Sequence, residues 1–258
     1  MYTWHILTIG HLSRNKFWGE RNDTAYRAPL ATSALLLGEG QVIVTDPSLP
    51  AAGMRAALLD AAGLAPEDVT LVFSTHNHLD HHVDPLCFPN ARWFMPQVDL
   101  TYLHEHWDEH KRSFPGDDWE TVQRCEAAPE ELAPGLKLLP LPGHTAGTGG
   151  LLFCAPEGRV LLTGDAVMTR EFYKAGEPYF FGWDNDQARQ TILSLRGQAD
   201  VIIPGHGEAF LTRAWACARK KRSPFRGFFF CHFCIVSSDV RRRRSATSRP
   251  TSTAISIA

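Results

Sequence analysis

The chain has 258 residues, 44% of them hydrophobic, and a formal net charge of −2, which is the balance of an ordinary globular protein able to bury a sizeable core. No run approaches the roughly 18 apolar residues of a membrane span, and the opening MYTWHILTIG lacks the charged leader and apolar core of a secretory signal. No membrane-spanning helix is expected, and a cytoplasmic setting is.

The near-neutral total conceals two compositions. From Thr212 onward there are eleven Lys and Arg against one acid, Asp239, whereas residues 1–211 hold fifteen basic and twenty-seven acidic residues. Six cysteines (Cys87, Cys125, Cys154, Cys217, Cys231 and Cys234) show no framework spacing, so reduced thiols are expected rather than disulfides.

In chain order, SALLLGEGQVIVTD reads as two apolar runs joined by Gly38-Glu39-Gly40, a hairpin signal. AAGMRAALLDAAGL sets Met54 and Leu58 at helical spacing and closes at Gly63. VTLVFS, Val69 to Ser74, is a short apolar run that reads as a buried strand. The runs ARWFM, LKLLPL, GLLFC, RVLLTG and DVIIPG repeat that theme. Between the last two, QARQTILSLRG puts Ala188, Ile192 and Leu195 on one helical face, with Gly197 as the expected cap. Many strands with intervening helices predict two packed sheets covered by helices.

Beyond Pro204-Gly205-His206-Gly207 the periodicity fails. A basic block, a short aromatic run, four consecutive arginines and a Ser/Thr-rich end follow, so the reading is one folded domain over 1–211 and a basic, disordered tail over 212–258. Cys231 and Cys234 form a lone C-x-x-C, without the second pair that a closed zinc site needs.

Four pieces carry chemistry: THNHLDHH (Thr75 to His82), PGHTAG (Pro142 to Gly147), TGDAV (Thr163 to Val167) and PGHG (Pro204 to Gly207). Each follows an apolar strand and presents His or Asp in a glycine-containing or glycine-bordered turn, which is what an open metal site requires. His76 and His78, two apart on extended chain, reach one ion. Asp80 and His81 come after the turn and suit a second. His144 and His206 can each complete one set, and the carboxylate of Asp165 can bridge both cations. Five imidazoles and two carboxylates without a thiolate point to two divalent metals, zinc first, with iron or manganese as alternatives.

The pattern H-x-H-x-D-H followed by a distant His, Asp and His resembles the metallo-β-lactamase-fold hydrolases, glyoxalase II and lactonases among them, from about residue 30 to residue 211. The resemblance implies a four-layer αβ/βα sandwich of two mixed sheets flanked by helices, an α/β fold with the metal site at the sheet edge. It assigns His76, His78 and His144 to one metal, Asp80, His81 and His206 to the other, and Asp165 to the bridge. Asp46 matches the family's strand-end aspartate, which supports the site from behind. His82 is surplus.

A water shared by two metals has its pKa lowered to near neutral and supplies hydroxide for attack on a carbonyl or phosphoryl centre. Asp80, beside that water, is the expected catalytic residue that orients it and moves its proton. Similarity to redox-active diiron relatives fails at His78, where they carry Glu, and to true β-lactamases at Asp165, where they carry Cys. Acyl-homoserine lactonases carry Tyr where this chain has Met168, with Tyr173 nearby as a substitute. The basic tail has the charge but not the helical pattern of glyoxalase II.

The expected activity is hydrolysis of a small carboxylic ester, lactone or thioester. The alternative is a phosphodiesterase or ribonuclease whose basic tail contacts nucleic acid. A second cluster, YLHEHWDEH, places His106 and His110 one turn apart, with His104 close by; it is expected to be a polar helix or loop over the site, anchored by Trp107, rather than a metal site. Phe180, Phe181 and Trp183 are expected as wall or core. The sequence leaves the oligomeric state open.

Overall fold

A computed structural model describes residues 1–113 and 119–212. The basic segment expected to form a tail lies, apart from Thr212, outside the described residues, as do Cys231 and Cys234.

The first sheet contains β1 (Thr3–Thr8), β2 (Ser33–Gly38), β3 (Gln41–Thr45), β4 (Leu71–Phe73), β5 (Arg92–Met95) and β6 (Cys125–Ala127), adjacent in that order. Its first two pairings are antiparallel and its last three parallel. The second contains β7 (Glu131–Ala133), β8 (Leu136–Pro140), β9 (Gly149–Ala155), β10 (Gly158–Gly164), β11 (Val201–Pro204) and β12 (Phe210–Leu211) in the order β12-β11-β10-β9-β8-β7. Only the pairing of β10 with β11 is parallel there. Both sheets are therefore mixed, as expected.

Six α-helices are described: α1 (Ala51–Ala62), α2 (Gln97–Glu105), α3 (Trp107–Ser113), α4 (Trp119–Val122), α5 (Arg170–Ala175) and α6 (Asn185–Ser194). The inner faces of the sheets meet through Leu36, Ile43, Phe73, Phe94, Phe153, Leu162 and Ile203. Met54 and Leu58 of α1 and Leu100 and Leu103 of α2 cover the outer face of the first sheet, against Leu35, Val44, Val72 and Trp93. Ile192 of α6, with Leu195, covers the outer face of the second, against Leu161 and Ile202. Apolar alternation on two faces of each sheet thus yields four layers, because each sheet buries one face on its partner and the other under helices.

The predicted hairpin is β2–β3, turned by Glu39 and Gly40. Helix α1 runs to Ala62 and closes on Gly63, as its spacing predicts. The expected cap at Gly197 is displaced: α6 stops at Ser194, and a further tight turn through Leu195 precedes the left-handed Gly197. At its other end α6 is capped by Asp184, whose carboxylate accepts from the amides of Asp186 and Gln187. YLHEHWDEH is helical with one interruption: α2 ends at Glu105, His106 is the break, and α3 begins at Trp107, with His110 N–H donating to the His106 carbonyl at 3.0 Å.

Candidate metal centre

All four sequence pieces converge where strands of both sheets end. Past β4 the chain is pinned by Ser74 N–H donating to the Phe94 carbonyl at 2.9 Å, and by the Thr75 carbonyl accepting from Gly149 of the second sheet at 2.9 Å. His76 and His78 follow, and Asp80 and His81 stand on a single 3-10 turn, Leu79–His81. His144 lies in the loop after β8, held from α6's approach by Trp183 N–H donating to its carbonyl at 2.8 Å. Asp165 leaves β10, and His206 leaves β11 with its amide donating to the Met168 carbonyl at 2.8 Å.

The donors sort into two groups, His76, His78, His144 and Asp165 in one and Asp80, His81 and His206 in the other, with donor atoms within 4.8 Å of one another inside each group. Asp165 faces both. Its Oδ1 is 3.3 Å from Nε2 of His81 and of His206, and its Oδ2 is 3.3 Å from Nε2 of His144 and 3.9 Å from that of His76. Oδ2 of Asp80 lies 3.9 Å and 3.8 Å from Nε2 of His81 and His206. All seven residues are buried except His78 and Asp80, which are partly exposed.

Three imidazoles are oriented from behind. His206 Nδ1 donates to the Leu30 carbonyl at 2.8 Å, His81 Nδ1 faces Asp46 Oδ2 at 3.1 Å, and His76 Nδ1 meets the Thr75 hydroxyl at 3.1 Å. Such contacts fix the tautomer and leave Nε2 as the inward lone pair. Asp46, at φ 45°, also accepts from the Thr75 amide and hydroxyl, at 2.8 and 3.0 Å. It supports the site from behind, where the resemblance put it.

Burial drives His76 well below the ordinary imidazole range, His78 to about 4 and His144 to about 3. Burial acts the same way on His81 and His206, but the surrounding carboxylates, Asp165 foremost, overcome it and raise both. Against burial, His206, His81 and His144 hold Asp165 well below the usual carboxylate range. Lone pairs aimed at carboxylates about hydrogen-bond distance away need positive charge between them. Buried Nε2 of His76 and of His81 and Oδ1 of Asp165 also have no hydrogen-bond partner. This donor chemistry fits divalent cations, two in number because the groups are two.

His82 lies outside both groups; its Nε2 is 3.1 Å from the Asn77 carbonyl and its ring packs 5.6 Å from Trp93. Among the described residues, no convergent donor group includes His104, His106 or His110. The His106 ring stacks on Tyr102 at 4.2 Å and that of His110 on Trp107 at 5.7 Å. Among the described residues, two cavities of about 150 Å³ or more adjoin the centre. One, of about 150 Å³, is lined by His78, Asp80 and His206 together with Leu12, Met168 and Tyr179. The other, of about 210 Å³, has Asn77, Tyr102, Thr145 and Trp183 in its wall. Phe181 lines both, so it and Trp183 are wall residues, while Phe180 packs on the small cluster of Leu12, Met168, Phe172 and Tyr179. Tyr173 does not substitute at the site: it is buried on the outer face of the second sheet, 5.4 Å from Phe210, whereas Tyr179 lines the smaller cavity.

One site residue has no signal in the sequence. Asp99, in the first turn of α2, accepts from the Asn77 amide at 3.1 Å, the Thr145 hydroxyl at 2.7 Å and the Gly147 amide at 2.7 Å. A single aspartate in QVDLTYL looks like any polar helix residue, and only its long-range partners distinguish it.

Comparison with known proteins identifies the family. The family model of the metallo-beta-lactamase superfamily matches residues 27–206. An N-acyl homoserine lactonase from a Bacillus species is 30% identical over 175 residues, covering 65% of this chain and 66% of the relative. Human metallo-beta-lactamase domain-containing protein 1 is 32% identical over 163 residues, 60% of this chain and 55% of that one. The chain thus spans just under two thirds or less of the length of these curated relatives. Among solved structures, AidC, a dizinc quorum-quenching lactonase in complex with a product, superposes with a TM-score of 0.54 at 16% identity, over 68% of this chain and 72% of that one. A family model covering well over half the sequence, a two-sheet sandwich and a dinuclear donor set at its edge lead to one conclusion: the chain belongs to the metallo-beta-lactamase superfamily.

Proposed function

We propose that the chain is a dinuclear metal-dependent hydrolase of small, uncharged carboxylic esters, lactones or thioesters. His76, His78 and His144 would hold one cation and Asp80, His81 and His206 the other, with Asp165 available to both. The observation that carries the reading is Asp165, with one oxygen toward each imidazole group. An all-nitrogen-and-oxygen donor set favours zinc, with iron or manganese next.

When bound, two such cations bring the pKa of a shared water from its bulk value to about neutral and polarise a substrate carbonyl. The remaining work falls to the chain's own groups. Asp80 is the one carboxylate of the set that is partly exposed, and it lines the smaller cavity, so it can orient a water there and accept its proton. Leu12, Met168, Tyr179 and Phe181 give the same cavity an apolar wall, against which the uncharged part of such a substrate can pack. The lactonase relative and the product-bound lactonase fold support the lactone among the candidate substrates.

A phosphodiesterase or ribonuclease reading has the basic segment in its favour, but the walls oppose it: among the described residues, no Lys or Arg lines either cavity. Phosphate recognition ordinarily draws on such cations. Hydrolysis rates on a lactone, an acyl thioester, a β-lactam and a phosphodiester decide between them. The carboxylic substrates should dominate, and a leading phosphodiester rate would overturn the reading. Cys87, Cys125 and Cys154 are free thiols, which supports a reducing, cytoplasmic setting.

Metal analysis tests the ligand assignment. The purified chain should carry two divalent ions, His81→Ala should lose one, and His82→Ala should keep both. Loss of an ion from the His82 variant would mean that the wrong histidine has been left out.

A further inference from the structure

We propose that Asp99 is a positioning residue that locks the His144 loop against the His76–His78 loop and so sets the affinity of the cation those three imidazoles face. The inference rests on the dinuclear reading above.

Asp99 is 1% exposed and belongs to neither donor group. Its Oδ2 accepts from the Asn77 amide and the Thr145 hydroxyl, and its Oδ1 from the Gly147 amide. Asn77 lies between His76 and His78, and Thr145 directly follows His144. One carboxylate therefore spans two loops that meet only in the folded chain. A buried carboxylate is costly without donors, and here both oxygens are committed to those loops.

Gly147 shows how close the approach is. A Cβ there would come within 2.5 Å of both the Asp99 amide nitrogen and its Oδ1, so only glycine lets the loop reach the carboxylate. The second donor group is held by different means: His81 by Asp46 and His206 by the Leu30 carbonyl. The consequence is an asymmetry, since disturbing Asp99 should weaken one cation site and spare the other.

Asp99→Asn is nearly isosteric. Its amide oxygen can take the place of Oδ2 and keep two donors, which sets the NH2 group against Gly147 N–H, donor facing donor. In Zn²⁺ titrations of the metal-free chain read by competition with a chelator, one Kd should rise by about tenfold or more, as for other groups that orient metal ligands, while the other stays unchanged. Thr145→Val removes a single donor and should give a smaller rise confined to the same site.

Equal weakening of both sites, or a lower Tm with both Kd values unchanged, would make Asp99 a general staple of the fold and overturn the proposal. If Asp99→Asn does not fold, an unchanged pair of Kd values in Thr145→Val overturns it. A wild-type chain that binds no pair of ions defeats the dinuclear reading instead, and so the two failures are distinguishable.

Discussion

Asp165→Asn should abolish hydrolysis, with kcat/KM falling by about 10³-fold or more, the several kcal/mol that a bound cation supplies to a developing oxyanion. The carboxylate stands between two sets of imidazoles, 3.3 Å from three Nε2 atoms, and both of its oxygens are acceptors. An amide offers one acceptor and turns an NH2 group toward the other set, so that set loses its shared ligand and the site loses one negative charge. The expected metal content is one ion or fewer per chain. Because the side chain keeps its volume, the fold should persist in the metal-free state, which circular dichroism can check. A variant with two ions and near-normal turnover would remove Asp165 from the bridging role.

The second large effect is expected from Gly205→Ala, a substitution of one methyl group. A Cβ at this position would overlap the Asp165 carboxylate and lie 2.8 Å from the carbonyl carbon of Gly164. The loop cannot retreat easily, because the Gly205 amide donates to the Val167 carbonyl at 3.0 Å and the Gly205 carbonyl accepts from Thr32 at 2.7 Å. Asp165 must therefore move. Overpacking of this kind costs about 1–3 kcal/mol of stability, and a displacement of about 1 Å at a reacting centre costs on the order of 10²-fold in rate. The prediction is checked by thermal unfolding of the metal-free chain and by kcat at saturating metal. Full activity in Gly205→Ala would show that the carboxylate tolerates a different position.

These two residues mark what the sequence reveals and what it hides. Asp165 was legible because a His or Asp at the end of each of four apolar strands is a pattern with a chemical reason. The hairpin at Glu39-Gly40 and the helix over Met54 and Leu58 were legible because local periodicity and turn chemistry decide them. Gly205 stood in a recognisable motif, but its contact with Asp165 arises from the parallel pairing of β10 with β11, which no local pattern encodes. Asp99 is hidden for the same reason: its three partners lie at least 22 residues away.

The break at His106 carries no sequence signal, because helical spacing continues through it while the backbone there turns to φ −112°, ψ 25°. Tyr173 and Tyr179 are both near Asp165 in sequence, and the short helix α5 turns the first outward and leaves the second to come back over the site.

The division of labour between the sheets has a consequence for the life of the protein. His76, His78, Asp80 and His81 leave the first sheet, while His144, Asp165 and His206 leave the second, so a cation held by either donor group would be a rivet through both halves. Ligands that bind only the folded state stabilise it by mass action, about 2.7 kcal/mol per ion when the free ion is about 100 times its Kd. Divalent metal supply would then set abundance as well as rate, and chelation of the purified chain is expected to lower its Tm and raise its susceptibility to protease.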